Sequence, residues 1–233
     1  MNRRPDSMSP IDSAAQRQDP HDDPHLGGRV ETAGTPLERA RAAMVMIHGR
    51  GAAPANILSL VPAIGVEDVA YLAPEAVGGQ WYPYGFMSPI PQNEPGITSG
   101  MHAISRVLAT VLDAKIPLER TFILGFSQGA CLASEFVARH AVRYGGLAAL
   151  SGGLIGPDGT PRDYSGSFDG MPVFMGCSDV DGHIPASRVR ETAEVLERMG
   201  ARVDMRLYPG MGHLVNEEEI DAVSAMLEAA LRK

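Results

Sequence analysis

An α/β fold, built on a mostly parallel twisted sheet with helices on both faces, is predicted by three features of the chain. Short, nearly continuous apolar runs recur along it; stretches of helical period separate them; and Gly125-Phe126-Ser127-Gln128-Gly129 sits between one of each. Strands buried on both faces lose the polar–apolar alternation of a half-exposed sheet, which explains why the runs are continuous.

In chain order, residues 1–26 are rich in Asp, Pro, Ser and Gln and are expected to form a disordered tail, with 27–233 as the folded domain. His21-Asp22-Asp23-Pro24-His25 has the composition of a metal site, but such residues in a polar tail are ordinarily solvated, and no metal is assigned to them. Residues 29–33 read as a short edge strand ended by Gly34 and Pro36. The runs 42–47, 69–72, 121–124, 147–150 and 173–175 read as buried strands, and 202–207 alternates as a strand nearer an edge. Ala130, Ala133, Val137 and Ala141 line one helix face, and Val189, Ala193, Leu196 and Met199 another. Ile220, Val223, Leu227 and Ala230 line the last, with Asn216 as N-cap and Glu219 three residues on. Segment 76–96 fits neither period. Its glycines and prolines are interspersed with Trp81, Tyr82, Tyr84, Phe86, Met87 and Ile90, too much apolar surface for disorder. Local packing and one wall of a cleft are both expected of it.

Composition narrows the class. With 233 residues and 44% hydrophobic content the chain suits one domain with a single sizeable core. No apolar run approaches the length of a bilayer span, and the polar N-terminus does not read as a secretory signal. A net charge of −8 argues against a nucleic-acid partner. Cys131 and Cys177 are expected as free thiols, which suits a cytoplasmic location.

The chemistry starts at Ser127. A strand, a sharp glycine-flanked turn and a helix would hold its hydroxyl on a strained elbow at the carboxyl end of the sheet. A serine nucleophile needs a base, a carboxylate to orient that base and donors for the oxyanion, and on such a sheet they follow in the order serine, acid, histidine. His213, in the glycine-rich loop 209–213 before the last helix, is the candidate base. His102 and His140 lie in helical patterns as surface or packing residues, and His48 at a strand end reads as scaffold. The acid should follow the strand 173–175; Asp179 and Asp181 both qualify, and spacing does not separate them. Backbone N–H groups of Gln128 and Arg50 are the expected oxyanion donors, the latter from the turn 46–51. The Arg50 side chain is expected either to meet an anionic substrate or to form a surface ion pair. No insertion is long enough for a separate lid domain, so an open cleft is expected, bounded by Trp81, Tyr82, Phe86, Phe126, Leu154 and Leu214.

These segments resemble the phospholipase/carboxylesterase family of α/β-hydrolases, which includes bacterial carboxylesterases and acyl-protein thioesterases. The resemblance spans about 29–233. It rests on Ile47-His48-Gly49-Arg50-Gly51, Gln80-Trp81-Tyr82, Gly125 through Ala130, Asp181 through Pro185, and Gly212-His213 ahead of an Asn-Glu helix start. It implies the α/β-hydrolase fold, with 27–233 as the catalytic domain, Ser127 as nucleophile, His213 as base, and Arg50 and Gln128 as oxyanion donors. It also selects Asp181, because the family's Asp-Pro-x-[Val/Ile]-Pro falls on Asp181 with Ile184 and Pro185. Two departures keep Asp179 as the alternative: Gly182 replaces the usual proline, and the loop 176–185 is slightly longer. The implied activity is that of a cofactor-free carboxylesterase, a serine hydrolase cleaving small-molecule carboxylic esters, or thioesters, of small to medium acyl groups. The alternatives are a serine peptidase or transacylase, and a non-catalytic ligand-binding protein on the same fold. The resemblance is also compatible with a homodimer.

Overall fold

The computed structural model describes residues 22–232. The strands are β1 (Val30–Gly34), β2 (Ala42–Ile47), β3 (Val69–Pro74), β4 (Thr121–Phe126), β5 (Gly146–Leu150), β6 (Pro172–Ser178) and β7 (Arg202–Tyr208). The helices are α1 (Pro54–Leu58), α2 (Val61–Ile64), α3 (Ile90–Asn93), α4 (Gly96–Asp113), α5 (Gln128–Arg139), α6 (Ala186–Arg198) and α7 (Glu217–Leu231). The strands form one sheet in the order β1-β3-β2-β4-β5-β6-β7. Among the described strands only β1 runs antiparallel, against β3.

Alternation along each strand sends its apolar residues to two cores. Ala43, Val45, Ile47, Ile123, Leu147 and Ala149 meet α4, α5 and α6 on one face. Met44, Met46, Phe122, Leu124, Ala148 and Leu150 meet α1, α2 and α7 on the other. Both faces are covered, as the unbroken apolar runs predicted. Several strands run past those runs because glycine and polar residues still pair at their ends, as Cys177 and Ser178 do with Leu207 and Tyr208. At α7 the reciprocal cap read from the sequence is present: Asn216 Oδ1 accepts the Glu219 N–H and Glu219 Oε2 accepts the Asn216 N–H, each at 2.9 Å. Among the described residues no helix is long and apolar enough to cross a membrane.

One expectation is corrected. Residues 22–26, assigned to a solvated tail, carry two buried side chains, Asp23 and His25. The reason is partnership: Arg106 and Ser99 of α4 satisfy the Asp23 carboxylate, and backbone groups of the 76–81 segment satisfy the His25 ring. The remainder of that tail, residues 1–21 and with it His21, lies outside the described residues.

Candidate active site

Ser127 follows β4 directly and takes φ 56°, ψ −121°, a left-handed setting unusual for a residue with a side chain. Its N–H donates to the Leu150 carbonyl at 3.0 Å, and its own carbonyl accepts the Cys131 N–H at 3.0 Å. The flanking glycines are demanded by packing. A Cβ on Gly125 would overlap the Gly129 carbonyl, and one on Gly129 would overlap the Ile47 carbonyl. The turn thus wedges α5 against β2 and β4 and leaves the Ser127 hydroxyl half-buried at the carboxyl end of the sheet.

The histidine arrives from the loop after β7, where Gly210 and Gly212 have φ of 65° and 78°. Three bonds tie that loop to the end of β6 and the loop after it. Asp179 Oδ1 accepts the Gly210 N–H at 2.8 Å, Ser178 Oγ accepts the Gly212 N–H at 3.0 Å, and Asp181 Oδ2 lies 2.7 Å from His213 Nδ1. His213 Nε2 lies 2.8 Å from Ser127 Oγ. A carboxylate only accepts, so Nδ1 carries the proton and Nε2 is free to receive the serine's. The ring is flanked by Phe126, with centroids 5.0 Å apart, and by His183, edge-on at 4.8 Å.

Asp181 and Asp179, equivalent by spacing, take different places. Asp179 braces Gly210, whereas the fully buried Asp181 side chain faces the imidazole. Burial raises the Asp181 carboxyl, but the bond with His213 and those from the His183 and Ile184 amides outweigh it and hold it below the usual carboxylate range. It is therefore ionised at neutral pH. Both thiols are poor nucleophiles. Burial, then the Asp181 charge, pushes Cys177 up to about 12, and burial does the same to Cys131.

On the other side of Ser127 lie Arg50 and Gln128. A Cβ on Gly49 would stand 3.4 Å from the Ser127 Cβ, so the 48–51 turn abuts the elbow. Gln128 opens α5, which leaves its N–H without an intrahelical acceptor, and the Arg50 N–H has no partner among the described residues. Their side chains do work that sequence reasoning missed. Gln128 Oε1 accepts the Trp81 N–H at 2.9 Å and its Nε2 donates to the Tyr82 carbonyl at 2.8 Å. The Arg50 guanidinium donates to Gln80 Oε1 at 2.7 Å and to the carbonyls of Tyr82, Pro83 and Tyr84. It pairs with no carboxylate among the described residues; these four bonds gather the aromatic loop. No sequence pattern marks that role, because three of the four acceptors are backbone carbonyls.

Two clefts flank the Ser127–His213 pair. One, of about 300 Å³, is lined by Arg50, Tyr82, Phe86, Gln128, His183 and Ile184. The other, of about 470 Å³ and mostly apolar, is lined by Ala52, Ile57, Leu60, Phe126, Leu214 and Val215. Tyr82, Phe86, Phe126 and Leu214 therefore border open space as expected. Trp81 and Leu154 do not. Trp81 is wholly buried because its indole N–H reaches inward to the His48 carbonyl at 2.9 Å, and Leu154 is wholly buried with its backbone bonded to Thr192 and Arg188 of α6. His183, which sequence reasoning did not single out, lies in the first cleft instead.

Known proteins match this chain in family and fold. The phospholipase/carboxylesterase family model matches residues 31–231. A solved phospholipase/carboxylesterase from Dyadobacter fermentans is 40% identical with a TM-score of 0.83, over 86% of this chain and 96% of that one. Acyl-protein thioesterase 1 of Debaryomyces hansenii is 26% identical, over 83% of this chain and 93% of its own length. A carboxylesterase from Mesorhizobium loti, at 20% identity and TM-score 0.67 over 87% of this chain and 95% of that one, shares the fold. With the family model covering nearly all of the described domain, the chain belongs to the phospholipase/carboxylesterase family.

Proposed function

We propose that this protein is a carboxylesterase that uses Ser127, His213 and Asp181 to cleave esters of small to medium acyl groups through an acyl-enzyme. Family membership makes it an α/β-hydrolase of ester or thioester bonds. The observation that supports the roles of Ser127, His213 and Asp181 is the line of contacts from Ser127 Oγ to His213 Nε2 at 2.8 Å and from His213 Nδ1 to Asp181 Oδ2 at 2.7 Å.

In this reading the Ser127 hydroxyl attacks the acyl carbon as its proton passes to His213 Nε2, and the ionised Asp181 steadies the imidazolium. The oxyanion of the tetrahedral intermediate is taken up by the Arg50 and Gln128 amides. His213 then returns the proton to the departing alkoxide, and a water molecule activated at the same nitrogen releases the acid. None of these steps calls for a cofactor. The paired clefts give the acyl and leaving groups separate places, and their modest volumes favour compact esters. Two free, buried cysteines support a cytoplasmic setting.

A second reading, thioester cleavage, is favoured by the relatives named acyl-protein thioesterase. Labelling with a fluorophosphonate, followed by kcat/KM on matched oxygen esters, thioesters and peptides, tests both. Ser127 is expected to be the labelled residue and Ser127→Ala to lose turnover by several orders of magnitude while staying folded. Near-normal hydrolysis by that variant would remove Ser127 from the reaction, and a preference for thioesters would replace carboxylesterase by thioesterase.

A further inference from the structure

We propose that His25 is a positioning residue for the oxyanion side of the site, acting through the 76–81 segment without touching substrate. The inference rests on the serine-hydrolase reading above. On α4, two residues, Ser99 and Arg106, fix the strap that carries His25. Arg106 Nη1 donates to Asp23 Oδ2 at 2.7 Å, the Ser99 hydroxyl donates to Asp23 Oδ1, and Arg106 Nη2 donates to the His25 carbonyl at 3.0 Å. The His25 N–H donates back to Ser99 Oγ at 2.8 Å.

So held, the His25 ring grips the loop at two points. Nδ1 accepts the Val77 N–H at 3.1 Å, and Nε2 donates to the Trp81 carbonyl at 3.0 Å. Both bonds exist only in one neutral tautomer, and burial, which pushes His25 below the usual imidazole range, favours the neutral ring. The Trp81 indole is also set between two imidazoles, with centroids 5.3 Å from His25 and 5.1 Å from His48. His48 Nε2 in turn accepts the Ala76 N–H at 3.1 Å. Segment 76–81 is thus clamped at both ends. Between the clamps lie Gly78 and Gly79, with φ of 78° and 75°, the backbone least able to hold a shape unaided.

Both proposed oxyanion donors lean on that segment. The Gly79 carbonyl accepts the Gly51 N–H at 2.7 Å, one residue after Arg50, and the Trp81 N–H is accepted by the Gln128 side chain. A shift of 76–81 would therefore move the Arg50 turn and the start of α5 together. A strap meant only to add stability would bury apolar side chains. This one buries a carboxylate and an imidazole, groups that are unfavourable inside unless their bonds are needed.

The test compares His25→Ala with His25→Gln, whose side-chain amide offers one donor and one acceptor, and with Val111→Ala, a buried truncation in α4 away from the loop. All are assayed with an aryl ester well below their melting temperatures. His25→Ala is expected to lower kcat about 10- to 100-fold with KM changed less than about threefold, because donor misplacement weakens the transition state more than binding. His25→Gln is expected to recover most of that loss, and Val111→Ala to keep wild-type kcat despite a lower Tm. Should His25→Ala not fold, Asp23→Asn, which loosens the strap without altering the ring, is expected to lower kcat about threefold with KM unmoved. Wild-type kcat in His25→Ala (or in Asp23→Asn standing in for it), an equal kcat loss in Val111→Ala, or no recovery in His25→Gln overturns the proposal. A wild-type protein that neither cleaves esters nor labels at Ser127 sinks the serine-hydrolase reading instead.

Discussion

The Glu219 carboxyl lies directly against Gly176, so closely that any side chain at 176 would overlap its Oε1. Oε2 accepts the Asn216 N–H, but Oε1 is buried without a partner among the described residues. Burial, partly offset by the Asn216 bond, pushes this carboxyl up to about 7. A folded-state value above the unfolded one means that the native protein holds the extra proton between about pH 4.5 and 7. Stability from this site is therefore full below that window and is lost as pH rises through it. Glu219→Gln keeps an oxygen for Asn216 and cannot ionise. Relative to wild type, the variant should gain on the order of 2–3 kcal/mol between pH 5 and 8. Urea unfolding at both pH values checks this, and an unchanged difference would show that Glu219 does not titrate there.

Alanine in place of glycine should have opposite consequences at two positions near the site. At Gly129 the new methyl meets the Ile47 carbonyl, a backbone atom of a central strand that cannot move aside. A loss of at least about 3 kcal/mol is expected there, with activity falling as the elbow opens. At Gly182 nothing stands within 4 Å, and the same change should be neutral or stabilising by up to about 1 kcal/mol. Denaturation midpoints of the two variants decide it; a tolerated Gly129→Ala would mean that the elbow is not tightly wedged.

The two loop aspartates provide a sharper test of the site. Asp181→Asn removes the charge facing His213 and permits the wrong tautomer, so kcat is expected to fall about 10³–10⁴-fold with KM little changed. Asp179→Asn keeps an oxygen for the Gly210 N–H and should stay within about threefold of wild type, the order expected when a neutral bond replaces a charged one far from the reacting atoms. Comparable losses in both variants would show that the loop, not one carboxylate, matters.

The sheet was legible because burial on both faces writes itself as continuous apolar runs, and Ser127 because a strained elbow needs glycine on each side. Asp179 and Asp181 were not separable by spacing, since two loop carboxylates two residues apart differ only in the direction the chain turns them. What stayed hidden was polar and long-range. Nothing near Asp23 and His25 in sequence announces Ser99, Arg106 or Trp81, so a composition typical of solvated tails concealed two buried side chains. Trp81 and Leu154 misled for a related reason: large apolar residues near a site read as cleft lining, and only coordinates show that they turn inward.

Arg50 offers the last test, because its side chain sits beside the cleft yet is committed to the loop. Its guanidinium reaches Gln80, Tyr82, Pro83 and Tyr84, a fan of acceptors that matches the planar fork of arginine and not the point charge of lysine. Arg50→Ala should release Tyr82 and Phe86 from the cleft wall. The expected loss in kcat/KM is about 10- to 100-fold, equal for neutral esters and for esters carrying a carboxylate, because the lost bonds position the loop and not the substrate charge. Arg50→Lys should recover little of it. A loss confined to the carboxylated esters, or full recovery by lysine, would mean that the positive charge itself meets the substrate.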